Sequence, residues 1–171
     1  HSKLLNQRYP EIFANRIENP DEVQIVSEAG ATITADNLIC AGKPETEAAI
    51  RTILGEICQM FPDSPYINIG GDEANIKAWN LCPDCRKYMQ EHDLADEKEL
   101  YCEFTARIAQ HVLDLGRTPI VWEGFPKSGA HRIPKETIVI AWESHYHLVT
   151  DLLEAGFRVI NSTWQPLYIV D

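Results

Sequence analysis

Two adjacent carboxylates, Asp72 and Glu73, follow two adjacent glycines, Gly70 and Gly71, at the end of the run Pro65-Tyr66-Ile67-Asn68-Ile69. Two acids held close cannot both ionise freely, so one is expected to keep its proton to higher pH. A proton donor beside a fixed negative charge suits acid-assisted bond cleavage. On a regular strand, neighbouring side chains point to opposite faces. Asp72 and Glu73 therefore share a pocket only if the backbone bends, and Gly70-Gly71 supplies dihedrals that permit a bend. The plain alternative is a solvated acidic turn. A third is that the two acids hold Mg²⁺ for a metal-dependent hydrolysis.

A second set of residues repeats the placement. Trp122-Glu123 and Trp142-Glu143 close two later apolar runs, and Asn161 closes a third, with Trp164 and Tyr168 just beyond. Acids ringed by indoles grip a sugar, because aromatic faces cover its apolar side while carboxylates serve its hydroxyls. Each tryptophan taken alone is equally at home as packing. Glu123 and Glu143 either reach a sugar hydroxyl or cap the following loop, and the cap is the favoured reading. His145 and His147, two apart, share no helix face and read as solvated rim residues. Cys82-Pro-Asp-Cys85 has zinc-like spacing, with Cys102 and His92 as conceivable partners. A second such pair is lacking, so loop packing is the default, and no metal or cofactor is expected.

The elements that must position these residues alternate between helix and strand, as parallel strands with crossover helices do. Helices are predicted at 2–9, 44–60, 97–115 and 146–155, and strands at 65–69, 118–122, 137–142 and 157–161. Ile50, Ile53, Leu54, Ile57 and Cys58 give the 44–60 helix its apolar face. Leu100, Phe104, Ile108, His111, Val112 and Leu115 mark the buried side of the next long helix, with Gly116 as its cap. Residues 11–43 read as loop with short extended pieces near 23–26 and 31–34. An irregular insert with some helix around 84–92 separates Glu73 from the second long helix. The acids and tryptophans all fall at carboxyl ends of strands, the face on which a parallel β/α barrel builds its site.

The chain has 171 residues, 44% hydrophobic and 24% charged, an ordinary globular composition read as one domain over 1–171. Its formal net charge of −11 argues against nucleic acid or an anionic membrane as partner. No apolar run reaches the roughly 18 residues a membrane span needs. Five cysteines, an odd number at irregular spacing, suit a reduced, intracellular chain better than a disulfide framework. No signal peptide is seen, and the start at His1 instead of Met suggests a processed or truncated chain.

These residues resemble the β-N-acetylhexosaminidases of glycoside hydrolase family 20. The resemblance rests on Ile69-Gly70-Gly71-Asp72-Glu73, on the tryptophans closing the next two strands, and on Val159-Ile160-Asn161-Ser162 followed by Tyr168. At the start, His1-Ser2 and Tyr9-Pro10-Glu11 look like the end of the family's Pro-Gly-His segment. It implies an α/β fold, part of a (β/α)8 TIM barrel, holding about strands four to seven. A whole barrel takes roughly 250 residues, so a fragment of a longer enzyme is expected, lacking strands one to three and eight and inactive alone.

The resemblance further implies hydrolysis of terminal β-linked N-acetylhexosamine from a glycan, with the sugar's own acetamido oxygen as nucleophile. Glu73 would be the general acid and Asp72 would orient the acetamido group. Tyr168 would donate to the acetamido oxygen, Trp122 and Trp142 would wall the pocket, and His1 would join the hydrogen bonds near the acid. Two positions depart from the family pattern. Asn68 stands where the family usually carries His, and Val170 where it often carries Asp. An amide does not titrate near neutral pH, so a proton relay at Asn68 is not expected. The competing expectation is a non-catalytic sugar-binding or interaction domain using the same pocket.

Overall fold

The computed structural model describes residues 2–18, 24–26, 32–34, 38–144 and 146–168. The chain divides into two compact units, one of residues 1–52 and 74–101, the other of residues 53–73 and 102–171.

The first unit begins with helices α1 (Ser2–Arg8) and α2 (Pro10–Phe13). Arg8 ends the first because Pro10 opens the second from its N-terminal turn, where a missing N–H costs little. Strands β1 (Gln24–Val26) and β2 (Thr32–Thr34) pair antiparallel, at the two places where the loop reads as extended. A single bridge joins Ala14 to Ile39. Helix α3 (Pro44–Met60) starts here, with Pro44, Glu45 and Glu47 in its first turn as the macrodipole favours. The insert forms a 3-10 turn, Ile76–Asn80, and helix α4 (Pro83–Glu91). Trp79 is buried, donates from its indole nitrogen to Ile39 O at 2.9 Å, and packs against Tyr101 at 6.3 Å.

The second unit is a four-stranded sheet in the order β3 (Tyr66–Asn68), β4 (Thr118–Trp122), β5 (Ile138–Ala141), β6 (Arg158–Asn161), with every pairing parallel. Chain order and spatial order coincide. β3 is shorter than the expected 65–69, yet its ladder runs on: Thr118 N donates to Pro65 O at 2.8 Å and Ile69 N to Ile120 O at 2.9 Å. One face carries Ile67, Pro119, Val121, Val139 and Ala141, all buried, with Ile67 opposite Pro119 and Val121 opposite Val139. The other carries Tyr66, Trp122, Ile140 and Ile160; Trp122, Ile140 and Ile160 lie side by side across three strands.

Helix α5 (Glu97–Asp114) has the expected length and is capped by Gly116 at φ +72°, whose N–H donates to Leu113 O. Its buried face differs in part. Leu100, Ile108 and Val112 are buried, but Leu115 is exposed and Phe104 only half-buried. Tyr101, Cys102, Thr105 and Ala109 are buried in addition. Small and amphipathic residues widen the covered arc beyond what the large aliphatic residues mark.

Helix α6 (Val149–Glu154) begins later than the expected 146, and α7 (Trp164–Leu167) forms in a stretch without a helical pattern of its own. Both differences follow from contacts at the strand ends.

Candidate active site

Beyond β3 the backbone takes three unusual conformations within four residues: Gly70 at φ +77°, Gly71 at φ +100° and Glu73 at φ +50°. Only glycine takes the first two at little cost. A positive φ at Glu73 is uncommon for a side-chain-bearing residue, and such strain concentrates where function needs a fixed geometry. Asn68 supports the bend, its Oδ1 accepting the Gly70 N–H at 2.8 Å. The residue that departs from the family pattern thus acts as a backbone clamp on the glycine turn. Asp72 folds back over that turn, so that a Cβ added to Gly70 would stand 4.0 Å from Asp72 Oδ1. Asp72 and Glu73 are both exposed.

The bend stays tied to the neighbouring strand. Trp122 N donates to Gly70 O at 2.9 Å, one residue beyond the Ile69–Ile120 bond. Trp122 heads a continuous aromatic run. It meets Trp142 edge-on at 6.1 Å, Trp142 meets Trp164 at 6.3 Å, and Trp164 stacks on Tyr168 at 5.1 Å. Trp142 is buried, Trp122 and Tyr168 are half-buried, and Trp164 is 42% exposed, which leaves indole surface open at this end of the sheet.

Backbone bonds between strand ends hold the run together. Ser162 N donates to Ala141 O at 2.8 Å and Trp164 N to Trp142 O at 2.7 Å. Asn161 Oδ1 accepts Thr163 N at 3.0 Å, turning the chain into α7. That turn sets Trp164 and Tyr168, one helical turn apart, on the same side.

Glu123 is the organiser of the β5 end. Its side chain is buried and accepts backbone N–H groups from Trp142 (3.4 Å), Ser144 (3.0 Å), Tyr146 (2.9 Å) and His147 (3.1 Å). Its carbonyl also accepts the Trp142 indole N–H at 3.0 Å. The capping alternative therefore describes Glu123, which fixes Trp142 through both backbone and ring. It also explains the late start of α6: the N–H groups of Trp142, Ser144, Tyr146 and His147 point to one carboxylate instead of entering a helix. Asp151 Oδ2 then accepts Leu148 N at 3.0 Å and opens the helix.

His147 is not a rim residue. It is buried, its ring lies 4.8 Å from that of Phe125, and Nε2 is 2.8 Å from Phe125 O, which makes that nitrogen the protonated one in the neutral ring. Burial holds its pKa below the ordinary 6.5, against the upward pull of the Phe125 carbonyl and Glu123. His145 and His1 lie outside the described residues, as do Val170 and Asp171.

The glycine bend, the paired acids and the aromatic run fit one family. The glycosyl hydrolase family 20 catalytic domain matches residues 1–170. The chain belongs to this family. Among curated relatives, the β-hexosaminidase of Akkermansia muciniphila is 31% identical over 172 aligned residues, which cover 99% of this chain and 33% of that protein. Among solved structures, a β-N-acetylhexosaminidase from Bacteroides fragilis superposes with a TM-score of 0.69 at 26% identity, over 94% of this chain and 30% of that one. A family 20 exo-β-N-acetylglucosaminidase from Vibrio harveyi, in complex with N-acetylglucosamine, superposes with a TM-score of 0.71 at 27% identity, over 93% of this chain and 23% of that one. The chain thus spans about a third of the curated relative and less of the solved structures. Within family 20, the parallel sheet β3–β6 is part of a (β/α)8 barrel, and the acids and the aromatic run stand at its strand ends, where such barrels build their sites.

Proposed function

We propose that the protein carrying this chain is a retaining exo-glycosidase that removes terminal β-linked N-acetylhexosamine, with the 171 residues as one stretch of a single catalytic domain. The observation that supports it most is the strained Gly70-Gly71 turn, which presents two successive acids one hydrogen bond away from the strand end where the aromatic run begins.

In this reading the acetamido oxygen of the bound sugar attacks its own anomeric carbon, the bond to the leaving oxygen breaks, and Glu73 gives that oxygen its proton. Asp72 accepts the acetamido N–H and stabilises the positive charge of the oxazolinium intermediate. Tyr168 donates to the acetamido oxygen, and Trp122 and Trp142 enclose the acetamido methyl and the sugar face. Water then enters, loses a proton to Glu73, and opens the ring with overall retention. An internal nucleophile held in its reactive pose can be worth on the order of 7–11 kcal/mol of barrier.

The test uses the intact protein. It should release 4-nitrophenol from the N-acetyl-β-glucosaminide or galactosaminide with retained configuration, and a thiazoline mimic of the intermediate should inhibit it. Sugar binding without turnover by the intact protein would favour a lectin-like role instead. Activity lost in chelator and restored by Mg²⁺ would place a metal at Asp72 and Glu73.

A further inference from the structure

Three cysteines of the first unit, Cys40, Cys82 and Cys85, are completely buried and converge. Cys40 Sγ lies 3.7 Å from Cys82 Sγ and 3.5 Å from Cys85 Sγ, and all three sulfurs fall within 4.8 Å of one another. A disulfide would bring two sulfurs to about 2.05 Å. Ligands at about 2.3 Å from a tetrahedral zinc ion stand about 3.8 Å apart. The spacing here is that of sulfurs around a common centre.

The backbone is shaped for the same purpose. Cys82 precedes Pro83 and stands at the N-cap of α4. The two turns touch at Gly42, where an added Cβ would stand 2.5 Å from the backbone of Asp84 and 2.6 Å from Cys85 N. Only a glycine lets Cys40 approach the Cys-Pro-Asp-Cys turn so closely.

A fourth side is closed by Asn15. Its Nδ2 donates to Leu38 O at 2.6 Å, which turns its Oδ1 toward the sulfurs, 3.6 Å from Cys85 Sγ. Arg16 pairs with Asp84 beside the cluster and offsets part of its negative charge.

We propose that Cys40, Cys82 and Cys85 ligate one zinc ion, with Asn15 Oδ1 on the fourth side, as a structural site tying the 38–42 turn and residues 15–16 to the start of α4. Zinc binding displaces the protons from those thiols that still hold them, with no change of oxidation state. Cys102 and His92 take no part: Cys102 Sγ faces Pro126 O at 3.9 Å in the second unit, and His92 stacks on Tyr88 at 4.0 Å.

The intact protein, purified with reductant, is assayed for zinc and then exchanged with Co²⁺. The expected results are one zinc per chain attributable to this site and a thiolate-to-cobalt charge-transfer band in the unmutated protein. Zinc content should fall at least tenfold in Cys40→Ser and in Cys82→Ser, and stay unchanged in Cys58→Ser and Cys102→Ser. A cobalt spectrum without thiolate charge transfer would overturn the site even if the serine variants fail to fold. So would a disulfide between two of the three, or full zinc content in Cys40→Ser. None of these readouts depends on glycosidase turnover.

Discussion

Trp122 N and Gly70 O share a hydrogen bond of 2.9 Å, so the turn that carries the acids is anchored to the strand that starts the aromatic run. The next residue, Gly71, stands at φ +100°, where a side chain is strained. Gly71→Ala should therefore cost about 1–3 kcal/mol of local strain. The chain relieves it by re-aiming Asp72 and Glu73. We expect kcat to fall at least tenfold while the protein stays folded by circular dichroism. Unchanged kcat in a folded Gly71→Ala protein would mean that the bend does not aim the acids.

The two carboxylates should separate by leaving group. Glu73→Gln removes the proton donor, so turnover of an unactivated disaccharide should fall on the order of 10²–10⁴. 4-Nitrophenol leaves without much help, so the loss on the nitrophenyl substrate should be smaller. Asp72→Asn acts at the acetamido group, and its loss, on the order of 10² or more, should be the same for both substrates. Equal leaving-group dependence in the two variants would contradict the assigned roles.

Glu123 makes a prediction about stability. Its carboxylate accepts N–H groups from Trp142, Ser144, Tyr146 and His147. Glu123→Ala leaves several buried donors without an acceptor, each costing about 1–3 kcal/mol where water cannot reach. Partial rewetting of the loop reduces the total, and we expect a loss of about 3–5 kcal/mol in denaturant unfolding. The Trp142 indole keeps its bond to the backbone carbonyl of residue 123, but the backbone N–H of Trp142 loses its carboxylate acceptor, so Trp142 sits less firmly and substrate KM should rise in whatever fraction remains folded. A Glu123→Ala protein of unaltered stability would show that the loop carries its own weight.

The long helices were legible in the sequence because their apolar spacing and flanking Pro44 and Gly116 act within a few residues. The strands and their carboxyl-end acids were legible for the same local reason. What escaped depends on distant partners. The start of α6 is set by Glu123, some 25 residues earlier. The buried state of His147 is set by Phe125, and the third sulfur beside Cys82 and Cys85 comes from Cys40, 42 and 45 residues earlier in the chain. Periodicity reports which face of an element is covered. It carries no information about which remote side chain will claim a loop's backbone.

His147 supplies the pH dependence. Its ring is buried against Phe125, with Glu123, Lys127 and Asp151 as the charged groups that act on it. Burial is the largest influence and lowers its pKa, so between that lowered value and 6.5 the unfolded chain binds more protons than the folded one. Stability then rises with pH through that window, by at most about 1.4 kcal/mol per pH unit for one proton. The contribution is complete above the unfolded value and is lost as pH falls through the folded one. His147→Gln keeps an amide donor for Phe125 O and cannot titrate, so its stability should stay flatter as the pH is lowered from about 7 toward 5. Denaturant midpoints measured for both proteins across that range check the difference. Identical slopes would mean that the folded and unfolded chains hold the His147 proton alike, and would remove it as the source of any acid sensitivity.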